Sequence, residues 1–71
     1  MKYAVIDQTS GDWFEDVFDS EEKAIARADY EWGIMTNSDK AKRVEYYVAS
    51  CDLTEDGCVD FDTVAVIKVY K

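Results

Sequence analysis

The side chains able to do chemistry in this chain are sixteen aspartates and glutamates, eight lysines and arginines, two cysteines and a few serines; histidine is absent. Without histidine the chain lacks the usual general base near neutral pH and the commonest zinc ligand. Cys51 and Cys58 have neither Cys-x-x-Cys spacing nor a histidine partner, so they read as free thiols, even if a hairpin brings them face to face. Ser10, Ser20, Ser38 and Ser50 fall in turn, cap or strand contexts and none sits in a nucleophile elbow. Gly11, Gly33 and Gly57 are isolated, so no loop cradles phosphate. No catalytic residue, cofactor or resident metal is expected, and the chain reads as a non-enzyme.

One segment has the spacing of a calcium loop. In Asp52-Leu53-Thr54-Glu55-Asp56-Gly57-Cys58-Val59-Asp60, oxygen-bearing residues occupy positions 1, 3, 5 and 9, with glycine at 6 and an apolar residue at 8. Position 12 is Thr63, where the cage needs a bidentate glutamate. Strands rather than helices are expected on both sides. Residues 52–60 therefore read as an acidic, solvated hairpin turn.

The arrangement of charge carries more information than any motif. The formal net charge is −8. Residues 12–31 hold eight acids against Lys23 and Arg27, a net of −6; residues 52–62 hold five acids and no base, a net of −5. Everything else sums to +3, including a small basic cluster at Lys40, Lys42 and Arg43. Acidic surfaces commonly serve solubility alone. The sharper expectation is that rows of carboxylates imitate phosphates and occupy a basic surface of a protein partner. The candidate contacts are Asp12, Glu15, Asp16, Glu22, Asp29 and Glu31 in the first stretch and Asp52, Glu55, Asp56, Asp60 and Asp62 in the second. Such a charge repels nucleic acid and anionic membranes, so direct binding to either is not expected.

Seventy-one residues bound the chain to one domain, 1–71. Lys2 to Asp7 predicts a strand, residues 8–12 a turn of about five, and Trp13 to Phe18 a second strand. Asp19 or Ser20 opens a helix, with Glu21 and Glu22 in its first turn and Asp19–Glu22 at capping-box spacing. Ala24, Ile25, Ala28, Trp32 and Met35 form its apolar stripe. A new cap at residues 36–39 precedes a short turn. Val44 to Cys51 is a third strand and Thr63 to Tyr70 a fourth; residues 58–62 fit either strand or loop. The fold class is α+β, in the order ββαββ: a four-stranded, mainly antiparallel sheet with one helix packed on one face.

Alternation in the fourth strand puts Ala65, Ile67 and Val69 on one face and Val64, Val66, Lys68 and Tyr70 on the other. Both faces of the first strand are also apolar. One helix covers one face, so part of the second is expected to stay open, where a homodimer through the open sheet face or an edge strand is the alternative to a foreign partner. No segment approaches the ~20 apolar residues of a membrane span, and the Met1–Asp7 start is too short for a signal peptide, so a cytoplasmic setting is expected.

The segments Phe18-Asp19-Ser20-Glu21-Glu22-Lys23-Ala24-Ile25, Tyr30-Glu31-Trp32 and Asp39-Lys40-Ala41-Lys42-Arg43-Val44-Glu45-Tyr46-Tyr47-Val48 resemble those of small uncharacterised proteins encoded by phages and mobile elements of Gram-positive bacteria. The opening Tyr3-Ala4-Val5-Ile6-Asp7 and the Gly11 turn fit as well, and the likeness covers roughly residues 3 to 50. No site residue carries over. The resemblance implies a small, accessory, cytoplasmic protein directed at host or rival machinery; for a chain expected to occupy a basic surface of a protein partner, anti-CRISPR or anti-restriction inhibition is the most concrete form.

Overall fold

The computed structural model describes residues 1–9 and 11–71. Its elements are β1 (Lys2–Thr9), β2 (Asp12–Phe18), α1 (Glu21–Ile34), α2 (Asn37–Ala41), β3 (Arg43–Leu53) and β4 (Val59–Val69). All neighbouring strands run antiparallel, in the order β2-β1-β3-β4. This is the expected α+β arrangement.

The first hairpin is tighter than the sequence implies. Gln8 pairs with Trp13 and Thr9 with Asp12, so the ladder runs on through residues assigned to the turn. Only positions 10 and 11 separate the strands, and Gly11 takes φ +88°, where a side chain would be strained. Ser10, part of the expected turn, lies outside the described residues. Ser20, rather than Asp19, caps α1: its hydroxyl accepts the Lys23 N–H at 3.2 Å. Asp19 instead pairs with Lys2 of β1. Thr36 and Asp39 form a reciprocal capping box that starts α2.

The face of the sheet toward α1 holds an aromatic core. Ala24 and Ala28 are fully buried and let the helix approach closely, while Ile25, Trp32 and Met35 pack beside them on Val5, Val48, Tyr46 and Tyr70. The rings of Trp32, Tyr46 and Tyr70 lie 5.4 to 5.8 Å apart. Lys40 of α2 sits over the Trp32 ring at 5.0 Å.

Strict alternation fails in β4. The register shifts between Val48 and Ala49 and makes Ile67 an extra residue. Lys68 then aligns with Val48, and the Tyr70 N–H donates to the Tyr46 carbonyl, on the α1 side. Val66 and Val69 align with Ala49 and Tyr47 on the face away from α1.

That second face is more covered than one helix allows, because the sheet covers it. A larger irregularity between Ser50 and Asp52 leaves residues 61–64 of β4 without partners opposite; the Thr63 hydroxyl takes the place of a ladder acceptor for the Asp52 N–H at 2.8 Å. The end of the β3–β4 hairpin bends there and folds back across β1. Ala4, Ile6, Cys51 and Val59 form a second buried cluster, with Tyr47, Leu53 and Val64 packed on it. Residues 58–62 divide accordingly: Cys58 is an exposed turn residue and Val59 begins the strand, buried opposite Leu53. Two parts of this face remain open: a strip at the β4 side, with Val66 and Val69 each more than half exposed, and the β2 side at Trp13 and Val17.

Candidate binding surface

The fold-back joins two acidic stretches that are far apart in sequence. The Glu15 carboxylate of β2 accepts the Val59 N–H of β4 at 3.3 Å. Beside it, Trp13 and Phe61 meet edge to face with ring centroids 5.2 Å apart. Both rings stay largely open to solvent, at 43% and 47% exposure. Sequence reasoning has no access to this pair, because nothing local in β2 reports on β4.

The carboxylates of β2 and of the β3–β4 hairpin sort by what they do. Asp12 is exposed at the head of β2, and Asp62 is exposed next to Phe61. Asp60 accepts the Asp62 N–H at 3.1 Å and stands directly across the ladder from Asp52. Like charges in that position destabilise a sheet by a few tenths of a kcal/mol, roughly. Glu55 and Asp56 ride on the exposed turn, which is closed by Thr54 N–H to Cys58 C=O and Gly57 N–H to Thr54 C=O. Thr63, at position 12 of the calcium-loop spacing, spends its hydroxyl on Asp52 N–H and Asp60 C=O. Among the described residues, no three histidine, cysteine, aspartate or glutamate side chains cluster to hold a metal ion.

The remaining candidates lie on the α1 side. Glu22 is exposed on the helix. Asp29 is engaged: Lys68 donates to it at 2.9 Å and the Tyr70 hydroxyl at 2.5 Å. These two bonds, that from Tyr70 first, hold its carboxyl below the usual aspartate range, and the same contact adds to burial in pushing the Tyr70 hydroxyl up. Glu31 pairs with Arg27 at 2.6 Å. Asp16 and Glu31 also rim a small cavity of 210 Å³, floored by Val5, Tyr46 and Met35 and edged by the exposed Phe14.

Asp7 and Arg43 close that cavity and are absent from the candidates drawn from sequence. Asp7 Oδ1 and Arg43 Nε stand 3.0 Å apart, both shielded from solvent, but they are not aligned as a hydrogen bond. Burial raises the Asp7 pKa; Arg43 opposes that and Glu31 adds to it. Burial first, then Asp7 and Glu31, push the Tyr46 hydroxyl up to about 12. The available signal is the one acidic residue of β1, directly after the apolar run Tyr3–Ile6.

No protein-family model, curated protein or solved structure matches the chain. The likeness to phage and mobile-element proteins thus rests on the quoted residues alone, and the site has to be read from its own chemistry. The chemistry available is acidic and aromatic. Burial, then Asp52 and Glu15, raise the pKa of the Cys51 thiol, so it is a poor nucleophile. Among the described residues, no helix is long and apolar enough to cross a membrane.

Proposed function

We propose that this chain is a small, acidic, non-enzymatic protein that acts by binding a basic surface of a protein partner. The observation that carries the reading is the exposed Trp13–Phe61 pair, which joins the β2 and β4 strands of the two acidic stretches beside the Glu15 carboxylate. Aromatic anchors supply contact area at low entropic cost, and the surrounding charge steers a cationic partner and sets its register. The opposed pair Asp52 and Asp60 keeps negative charge on this flank at a cost in stability, which fits a surface retained for binding. In the cytoplasm of a phage- or element-bearing cell, such a surface suits inhibition of a nucleic-acid-handling protein, anti-CRISPR or anti-restriction action included, by filling the groove that holds phosphates. Affinity capture with the chain as bait, at low and high salt, tests this. Partners should be basic and released by salt; a captured set that is indifferent to salt would count against the reading.

A second reading, a homodimer whose acids serve only solubility, draws on the open strip where Val44, Val66 and Val69 border a groove of 470 Å³. Light scattering across concentrations decides it, and a strict monomer removes it.

A further inference from the structure

We propose that the outer edge of β2 is a strand-addition site that accepts an extended, cationic segment of a protein partner. This rests on the binding function proposed above and names its mode. The sheet has two edges, and only one is fit to template another strand. Register shifts interrupt β4 twice, the Thr63 hydroxyl substitutes in its ladder, and its Asp62 N–H is turned onto the Asp60 carboxylate. Such irregularities are how proteins blunt an edge. β2 pairs with β1 without a break from Tyr3↔Phe18 to Thr9↔Asp12. Among the described residues no strand lies outside it. One alternating set of its N–H and C=O groups therefore faces outward along seven residues, about 23 Å of ladder.

The side chains beside those groups define the occupant. Asp12 and Asp16 point to the α1 side with Phe14 between them, which is 64% exposed; Trp13 and Val17 flank Glu15 on the other side. β2 carries three acids and no base. A second copy is a poor fit, because antiparallel β2–β2 pairing about Glu15 sets Glu15 against itself and brings two triply acidic strands together. An extended segment alternating lysine or arginine with β-branched residues is complementary: its cations meet Asp12 and Asp16, its apolar side chains meet Trp13 and Val17, and its backbone completes the ladder.

The test uses two eight-residue peptides that alternate lysine and valine, one ordinary and one N-methylated at every backbone nitrogen, followed by NMR on the full chain at low salt. Both carry the same charge. The ordinary peptide should bind and slow exchange at alternate amides of β2. The methylated one, which has lost its donors, should bind more than about tenfold more weakly. Equal affinities without alternate protection would overturn the strand-addition mode while leaving charge-driven binding in place. Failure of both peptides to bind would overturn the mode and the basic-partner reading together.

Discussion

The two edges of this sheet are built on opposite plans. β4 is long, interrupted by extra residues, and tied inward through Lys68 to Asp29 and through Val59 to Glu15. β2 is short, regular and open, guarded by its charges alone. The first edge is an irregular template for another strand. The second repels copies of itself and admits a cationic strand. Polarity of this kind gives a small acidic domain a direction, since the same net charge spread over two equal edges would select no mode of contact.

The bend that closes one edge also builds the surface beside the other, and removing its support is the strongest way to break the contrast. Ile6 is fully buried beneath the folded-back hairpin. Ile6→Ala should cost about 2–4 kcal/mol in denaturant unfolding. It should also let Phe61 move off Trp13, read as a red shift of tryptophan emission before global unfolding. Glu15→Ala is milder, since it removes the acceptor of the Val59 N–H; a loss of about 1 kcal/mol is expected, largely restored by Glu15→Gln, which keeps a carbonyl oxygen there.

The smallest effects are on the pH dependence of stability. Asp29, which anchors Lys68 of the closed edge, has its carboxyl held below the ordinary 3.8. Its contribution to stability is present above that value and is lost as pH falls through the lower folded value. Asp7, beneath the cavity near β2, is raised above 3.8 by burial. The native state there binds its proton more tightly, so this contribution is full at low pH and declines as pH rises through the raised folded value. Side-chain carboxyl NMR should find the two aspartates titrating on opposite sides of 3.8; the same side for both would refute the assigned environments.

Much of the scaffold is legible in the sequence because it depends on neighbours. The Ala24–Ile25–Ala28–Trp32–Met35 stripe, the β-forming run of β1 and the cap within residues 36–39 are local patterns, and each forms as its residues imply. What escapes local reading is set by register. Ile67 looks like any strand residue, yet one extra residue there exchanges the faces of everything between it and Tyr70. Trp13 and Phe61 meet only because β4 bends at 61–64, a consequence of how β3 and β4 align and not of either strand alone. The acidic stretches were visible by count, but their division into carboxylates engaged within the fold, such as Glu15 and Asp29, and exposed ones, such as Asp12 and Asp16, needed the third dimension.

Charge of this kind would work by position along β2 and not in bulk. Two doubly substituted chains test it at equal net charge: Asp12→Lys with Asp16→Lys on the open edge, and, away from it, Glu21→Lys on α1 with Glu45→Lys on β3. Both change the formal charge from −8 to −4. Titrated with the ordinary lysine–valine peptide at low salt, the β2 variant should lose affinity more than about tenfold, while the Glu21/Glu45 variant stays within about twofold of the parent. Equal losses in the two would show that the acids act only as bulk charge and would contradict the account.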